Sequence, residues 1–256
     1  MTRLVALTRS VSPAIVDHAL SYVDREPIDV SLAHRQHAGY EDALRGLGIE
    51  VLSLPKQPHM PDAVFVEDTA VVTDEIAILT APALPSRRVE VDSVAEALTS
   101  FRPIRRLTGD ATLEGGDVLR VGHEMYVGLS RRTNEEGVRQ LRAHLQPFGY
   151  RVTGIAFAGC LHLKSACTYI GRDTILANTE WVDAGQFPHL QILAVAADEE
   201  MAGNVLLVGD TLLMPANFPL TLERLEEHDF NVLPVSVSEL QKAEAGVTCC
   251  SVLFTL

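Results

Sequence analysis

Positive charge is scarce in this sequence: 21 Lys and Arg stand against 34 Asp and Glu, a formal net charge of -13. Such a balance argues against a nucleic-acid surface and favours cationic ligands. Long apolar runs are also missing, so no stretch approaches a membrane span. The start, Met1-Thr2-Arg3-Leu4-Val5-Ala6-Leu7-Thr8-Arg9, has too short an apolar centre for an export signal and reads as a first strand. Cysteine is limited to four residues, which with no export signal predicts free thiols in a reducing compartment, the cytoplasm by default. Cys249 and Cys250 are adjacent and poorly placed for a disulfide with each other.

What is present is ample for a core: 256 residues, 47% hydrophobic and 21% charged, as in an ordinary globular protein. Ser12-Pro13-Ala14 opens a helical pattern through Leu20 and Val23, and Ser31 reads as the cap of another running to Gly46 and Gly48. A strand over Ile49–Leu54 ends at Pro55.

A rhythm then sets in. Hairpins are expected at Thr69–Thr80, Asp117–Gly128, Cys167–Ala177 and Asn204–Met214, turning at Asp74-Glu75, Gly122-His123, Gly171-Arg172 and Gly209-Asp210. Helices follow at Val91–Leu98, Asn134–Leu145 and Leu220–Glu227, that of the third unit being poorly marked. Each unit adds a later strand: Ile104–Leu107, Arg151–Ile155, Ile192–Val195 and Val232–Val235. Turns at intervals of roughly 40 to 50 residues mark repeated supersecondary units, and intervening helices separate them from the blades of an all-β propeller. Pairing of the leftover ends, Leu4–Thr8 and Cys249–Phe254, would close a fifth unit. The expected architecture is therefore one domain over residues 1–256, a ring of five α/β units with their strand-end loops gathered on one axis.

Candidate chemistry collects at such loops. In Gly246-Val247-Thr248-Cys249-Cys250-Ser251-Val252 a glycine-led turn runs into a β-branched strand, placing the Cys249 thiol at its lip. His162 lies in the alternating stretch Cys160-Leu161-His162-Leu163, read as a strand, where it is either a core histidine or a general acid/base facing the same axis. His18, His34, His37, His144 and His228 fall on helical patterns and read as surface residues. A metal site from Cys160, His162 and Cys167 has the ligand types but matches no common zinc spacing. Glu114 precedes Gly115-Gly116, which let the backbone turn sharply or approach a ligand closely; Glu67-Asp68 follows the apolar run Ala63–Val66. Taken singly, each of these acids reads as a solvated surface group. Arg87-Arg88 and Arg131-Arg132 sit in loops, from which a guanidinium can fork onto a carboxylate.

These segments together resemble the dimethylarginine dimethylaminohydrolase family, within the guanidino-group-modifying enzymes of the pentein fold, a five-bladed α/β propeller. The resemblance runs from Ala33-His34-Arg35-Gln36-His37 to Leu253. It rests on Pro61-Asp62-Ala63-Val64-Phe65-Val66-Glu67-Asp68, Pro85-Ser86-Arg87-Arg88, Leu113-Glu114-Gly115-Gly116-Asp117, Gly128-Leu129-Ser130-Arg131-Arg132, Leu161-His162-Leu163-Lys164-Ser165 and Val247-Thr248-Cys249-Cys250-Ser251. It implies Cys249 as nucleophile, His162 as acid/base and Glu114 as its orienting acid. It further implies substrate contacts from Asp62, Phe65, Glu67, Asp68 and Ala243, contacts to the amino-acid end from Arg87 and Arg132, and a lid residue in Leu20.

The implied activity is hydrolysis of Nω-methylated arginine to citrulline and a methylamine through a covalent Cys249 thiouronium. It needs no metal or organic cofactor, and it belongs to arginine metabolism. The implied partner is a small cationic substrate, with no nucleic acid or membrane; an exposed edge or apolar face would support a homodimer. The rival readings are an arginine or agmatine deiminase, an amidinotransferase, and a non-catalytic methylarginine-binding module.

Overall fold

The computed structural model describes residues 3–256, so Met1 and Thr2 of the expected first strand lie outside the described residues. β1 (Leu4–Arg9) leads through α1 (Val30–Gly46) to β2 (Glu50–Leu54), which runs parallel to it. Along α1, Ala33, His37, Tyr40 and Leu44 recur at helical spacing and are buried, while Asp29 caps the helix by accepting from the Leu32 amide at 2.9 Å. The cap is thus Asp29 and not Ser31, which lies inside the helix.

The hairpin of β3 (Ala70–Val72) and β4 (Ala77–Leu79) is followed by α2 (Pro85–Arg88), α3 (Glu90–Leu98) and the parallel strand β5 (Ile104–Arg106). The next unit is β6 (Val118–Val121), β7 (Glu124–Leu129), α4 (Glu135–Leu145) and β8 (Arg151–Ala156), its helix capped by Asn134, which accepts from the Gly137 amide at 2.8 Å. After α5 (Leu163–Ala166), β9 (Cys167–Gly171) and β10 (Thr174–Ala177) form a third hairpin, joined to β11 (Gln191–Ala194) by one 3-10 turn at Ala184–Gln186 instead of a helix. β12 (Leu206–Val208), β13 (Thr211–Pro215), α6 (Pro219–Glu227) and β14 (Asn231–Val235) complete the fourth. Beyond α7 (Ser238–Gln241), β15 (Val252–Thr255) pairs antiparallel with β1, Leu4 opposite Thr255 and Leu7 opposite Val252.

Five three-stranded sheets result, each with one antiparallel and one parallel pairing, and the fold is a five-bladed α/β propeller. Val71, Leu119, Tyr169, Leu207 and Leu253 come one from each of β3, β6, β9, β12 and β15, and together they line one cavity of about 350 Å³. Those five strands are therefore the inner ones, and the cavity is the axial channel. A single helical turn precedes each inner strand: Val66–Thr69, Gly115–Asp117, α5, Glu200–Gly203 and Thr248–Cys250. These five turns meet on the axis.

Several local expectations change. The helix expected from Ser12 is a single 3-10 turn, Pro13–Asp17, and the chain then runs without regular structure to Asp29. His162 is not on a strand but caps α5 in extended conformation, and Cys249 sits in the turn before β15. Of the histidines read as surface residues, His18 and His37 are buried. Among the described residues, no helix is long and apolar enough to cross a membrane.

Candidate active site

Four of the five axial turns supply the chemistry-bearing side chains. Asp68 comes from the first, Glu114 from the residue capping the second, His162 from the cap of α5, and Cys249 from the turn before β15. Their close approach explains the paired glycines. A Cβ on Gly115 would lie 1.9 Å from the Glu67 carbonyl oxygen, and one on Gly116 would lie 2.6 Å from His162 Nδ1 and 2.9 Å from Asp68 Oδ1.

The His162 imidazole meets Glu114 Oε2 through Nε2 at 2.8 Å, and its Nδ1 lies 3.9 Å from Asp68 Oδ1. Glu114 is wholly buried and His162 is 5% exposed. Burial alone would depress the imidazole, but Asp68, the Glu114 hydrogen bond and Asp117 outweigh it and raise the pKa to about 9. Burial pushes the two carboxyls the other way, yet the imidazole, first among their partners, holds Glu114 low and Asp68 at about 2. His162 is accordingly an imidazolium at neutral pH.

Asp68 also accepts from the Gly116 amide at 3.0 Å and from Arg87 Nη1 at 2.6 Å. Glu114 accepts from Arg132 Nη1 at 3.3 Å on both oxygens and from the Ala83 amide at 3.2 Å. Beneath the histidine, Asp117 accepts from the Leu163 amide at 2.9 Å and from Ser130 Oγ at 2.7 Å, fixing the first turn of α5 and with it the ring.

Cys249 is 9% exposed and its Sγ accepts from the Gly246 amide at 3.3 Å. Burial, then the charges of Glu67 and Asp68, push the thiol up to about 12. Cys250 points away, its Sγ against the Gly246 carbonyl at 3.8 Å, and is fully buried in the core.

Cys249, His162, Asp68, Asp62, Phe65, Arg87, Arg132 and Ala243 line one small cavity of about 20 Å³. Asp62 spends only Oδ1, on the Ala19 amide at 3.3 Å, and burial raises its pKa. Two of the expected residues lie elsewhere. Glu67 faces the axial channel, where it accepts from Lys164 Nζ at 2.5 Å and from Thr248 Oγ1 at 2.8 Å. Leu20 is half-buried beside the cavity, where Ala19 instead provides the lining.

Arg87, expected as a contact to the amino-acid end, lines the cavity and is also tied firmly into the protein. Its guanidinium makes five contacts within the protein: Nη1 to Asp68, Nε and Nη2 to Glu90, and Nη2 to the carbonyls of Asp62 and Phe65. Arg132 is less committed, since its bonds are 3.3 Å or longer. Both acids of the first turn, Glu67 and Asp68, are buried and paired, against the solvated reading.

Glu90, Asp117, Ala19 and Glu244 escaped the sequence reading. Glu90 is signalled only by its place one helical turn after Arg87, and Asp117 only as the end of Glu-Gly-Gly-Asp. The expected alternative of Cys160, His162 and Cys167 as metal ligands does not assemble, because the His162 ring faces carboxylates and Cys160 Sγ meets only its carbonyl, at 3.3 Å. Among the described residues, the possible ligand group is Asp68, Glu114 and His162, and its charges are already matched by one another and by Arg87 and Arg132.

A family profile described as N,N dimethylarginine dimethylhydrolase, eukaryotic, matches residues 21–254. The N(G),N(G)-dimethylarginine dimethylaminohydrolase of Streptomyces coelicolor is 38% identical over 249 residues, covering 96% of this chain and 95% of that protein. Among solved structures, a cysteine-to-serine mutant of the Pseudomonas aeruginosa dimethylarginine dimethylaminohydrolase complexed with citrulline superimposes with a TM-score of 0.94 at 32% identity, covering 99% of this chain and 100% of that one. A histidine-to-glycine variant of a dimethylarginine dimethylaminohydrolase, captured as an adduct with S-methyl-L-thiocitrulline, also gives 0.94 at 32% identity, with the same coverage. Matched from end to end in sequence and in fold, the chain belongs to the dimethylarginine dimethylaminohydrolase family.

Proposed function

We propose that this protein hydrolyses Nω-methylated arginines to citrulline and a methylamine, with Cys249 as nucleophile and His162, oriented by Glu114, as acid and base. The observation that carries the reading is the convergence of a thiol, an imidazolium and two carboxylates, Asp62 and Asp68, on one small cavity. Those are the groups a guanidinium needs: carboxylates to hold a planar cation, a sulfur to attack its carbon, and an acid to protonate a poor leaving group.

In the free protein burial, reinforced by the acids around Cys249, keeps its thiol protonated. A guanidinium seated on Asp68 and Asp62 offsets those charges, so the thiol loses its proton as the cation arrives. The thiolate attacks the guanidinium carbon, forming the C–S bond and a tetrahedral centre. The bond from that carbon to the methylated nitrogen then breaks as His162 delivers its proton, releasing the methylamine and leaving a thiouronium on Cys249. Neutral His162 next takes a proton from a water attacking the same carbon. The C–S bond breaks with its electron pair on sulfur, the proton of the new hydroxyl passes to that sulfur to restore the thiol, and citrulline leaves. Arg132, the more loosely held of the two arginines, meets the substrate carboxylate, with Arg87 beside it holding Asp68. The citrulline complex and thiocitrulline adduct of the relatives support this course.

The same reading takes residues 1–256 as one catalytic domain in the cytoplasm. It needs no bound cofactor or nucleic acid, in keeping with the net charge of -13, and leaves an outer face free for a homodimer.

The test is citrulline-type ureido product formation from asymmetric dimethylarginine, monomethylarginine, arginine and agmatine, run in parallel with chelator present. Turnover of the methylated substrates is expected, with little from the other two. Preference for arginine or agmatine would move the protein to the deiminases, and no turnover would leave a binding module. Cys249→Ser should lower turnover by more than about 10³-fold while still binding the methylated substrate.

A further inference from the structure

The cavity of about 20 Å³ has room for roughly one water and none for an amino acid, so something must open. The stretch that covers it is the irregular segment after Asp17. Ala19 of that segment touches Asp62, and Ser21 Oγ accepts from Arg132 Nη2 at 3.5 Å. Both contacts are long. The firm hold comes from the other side of the ring, where Glu244 Oε2 accepts from the Ser21 amide at 2.9 Å, and Oε1 accepts from the amides of Tyr22 and Val23, the latter at 3.0 Å. One carboxylate thus gathers three successive backbone N–H groups, all of them otherwise unpaired.

Glu244 is placed for that task at some cost. Its backbone sits at φ 58°, a left-handed conformation that residues other than glycine rarely adopt, and it is 5% exposed with no lysine or arginine bonded to it among the described residues. It lies between Ala243 and Ala245, both on the cavity wall, a few residues before Cys249. The same side chain also borders a second cavity of about 350 Å³, lined by Val23, Asp24, Glu26, Phe218 and Lys242 among others. Glu244 therefore stands between a narrow chemical site and a roomier outer space.

We infer that Glu244 is a positioning residue that latches residues 19–23 over the site, and that its release joins the two cavities to admit and discharge the ligand. The inference rests on the proposed activity for the identity of that ligand, but not for the latch itself. With the latch shut, Ala19 and Ser21 hold Asp62 and Arg132 in the poses that receive substrate. With it released, the chemical groups Cys249, His162 and Glu114 remain in place. Loss of the latch should then weaken substrate retention much more than the chemical steps.

Two variants separate this from a general loosening. Glu244→Gly removes the carboxylate and relieves the left-handed backbone, so the fold is retained. Glu244→Gln keeps one acceptor oxygen, enough for the paired amides of Tyr22 and Val23 but not for Ser21. Amide hydrogen exchange should rise by about tenfold or more at Ser21, Tyr22 and Val23 in the glycine variant, and chiefly at Ser21 in the glutamine variant, with the strands unchanged. KM for dimethylarginine should rise by about tenfold or more in Glu244→Gly, with kcat within about threefold of the parent.

Unchanged exchange at those three amides would overturn the latch. So would a rise spread evenly over the strands. A local rise with KM unmoved would overturn its role in positioning. If the parent protein fails to turn over methylarginines, the proposed function falls, and exchange alone still decides the latch.

Discussion

Glu114 and His162 share a 2.8 Å hydrogen bond at a point where the carboxylate has no exposure at all. An acid in that position would ordinarily be neutral, and an imidazole in that position would ordinarily lose its proton. Together, and with Asp68 beside them, they keep each other charged.

The charge of His162 should be visible in stability. Its pKa is raised from 6.5 to about 9 on folding, so its contribution is complete below pH 6.5 and disappears as pH rises through about 9. Thermal unfolding followed from pH 6 to 10 should show a fall in Tm over that interval. In His162→Ala the fall should be absent, and the whole curve should lie lower because buried carboxylates are left unmatched. A parallel decline in both proteins would contradict the assignment.

Asp117 offers a way to shift that charge without touching substrate. Asp117→Asn keeps an oxygen for the Leu163 amide but removes a negative neighbour of the ring. The apparent pKa of His162, read by NMR titration or from the pH–rate profile, should drop by about one unit. A profile that only loses amplitude would indicate a purely structural role.

The thiol of Cys249, raised to about 12, should behave as an unreactive one in the free protein. Its alkylation by iodoacetamide should accelerate roughly tenfold per pH unit from pH 7 to 10, with no plateau. Binding of a non-reacting guanidinium should release a proton, measurable as acidification in a weakly buffered solution. A plateau near pH 8, or no proton release, would mean that the thiolate is preformed.

Arg87 and Arg132, two arginines at the same cavity, should fail in different ways. Arg87→Met strands Asp68 and Glu90 in the interior and should cost about 3–5 kcal/mol of stability, measured by urea unfolding. Arg132→Met should leave the fold closer to intact and raise KM for the amino-acid substrate. Equal losses of stability in the two variants would remove the distinction.

The blades were legible in the sequence because hairpins and helices announce themselves by period: the turns at Gly122 and Gly209, and the run Val91, Val94, Ala95, Leu98, fall where the pattern puts them. The single turns that carry the site were not. Val66–Thr69, Gly115–Asp117 and Thr248–Cys250 are too short for any period, so from sequence Asp68, Glu114 and Cys249 read as strand-end residues. Alternation around His162 imitated a strand in the same way. Burial of Glu67, Asp68, His18 and His37 was also invisible, since a buried charge is allowed only by partners distant in sequence, such as Lys164 for Glu67. Glu244 had no local signature, and its partners lie more than 200 residues away.

The ring is sealed by its two ends: β15 zips onto β1, with Arg3 and Leu256 exchanging backbone hydrogen bonds at the last rung. Cys249 sits just before that final strand. During synthesis, then, Cys249 is held against Asp68, Glu114 and His162 only once β15 has been made and has found β1, the strand farthest from it in sequence. A chain cut before β15 lacks the thiol or the strand that seats it, and so carries the binding walls of the site without its reactivity. Closure of the circle and assembly of the reactive centre are therefore one and the same folding event.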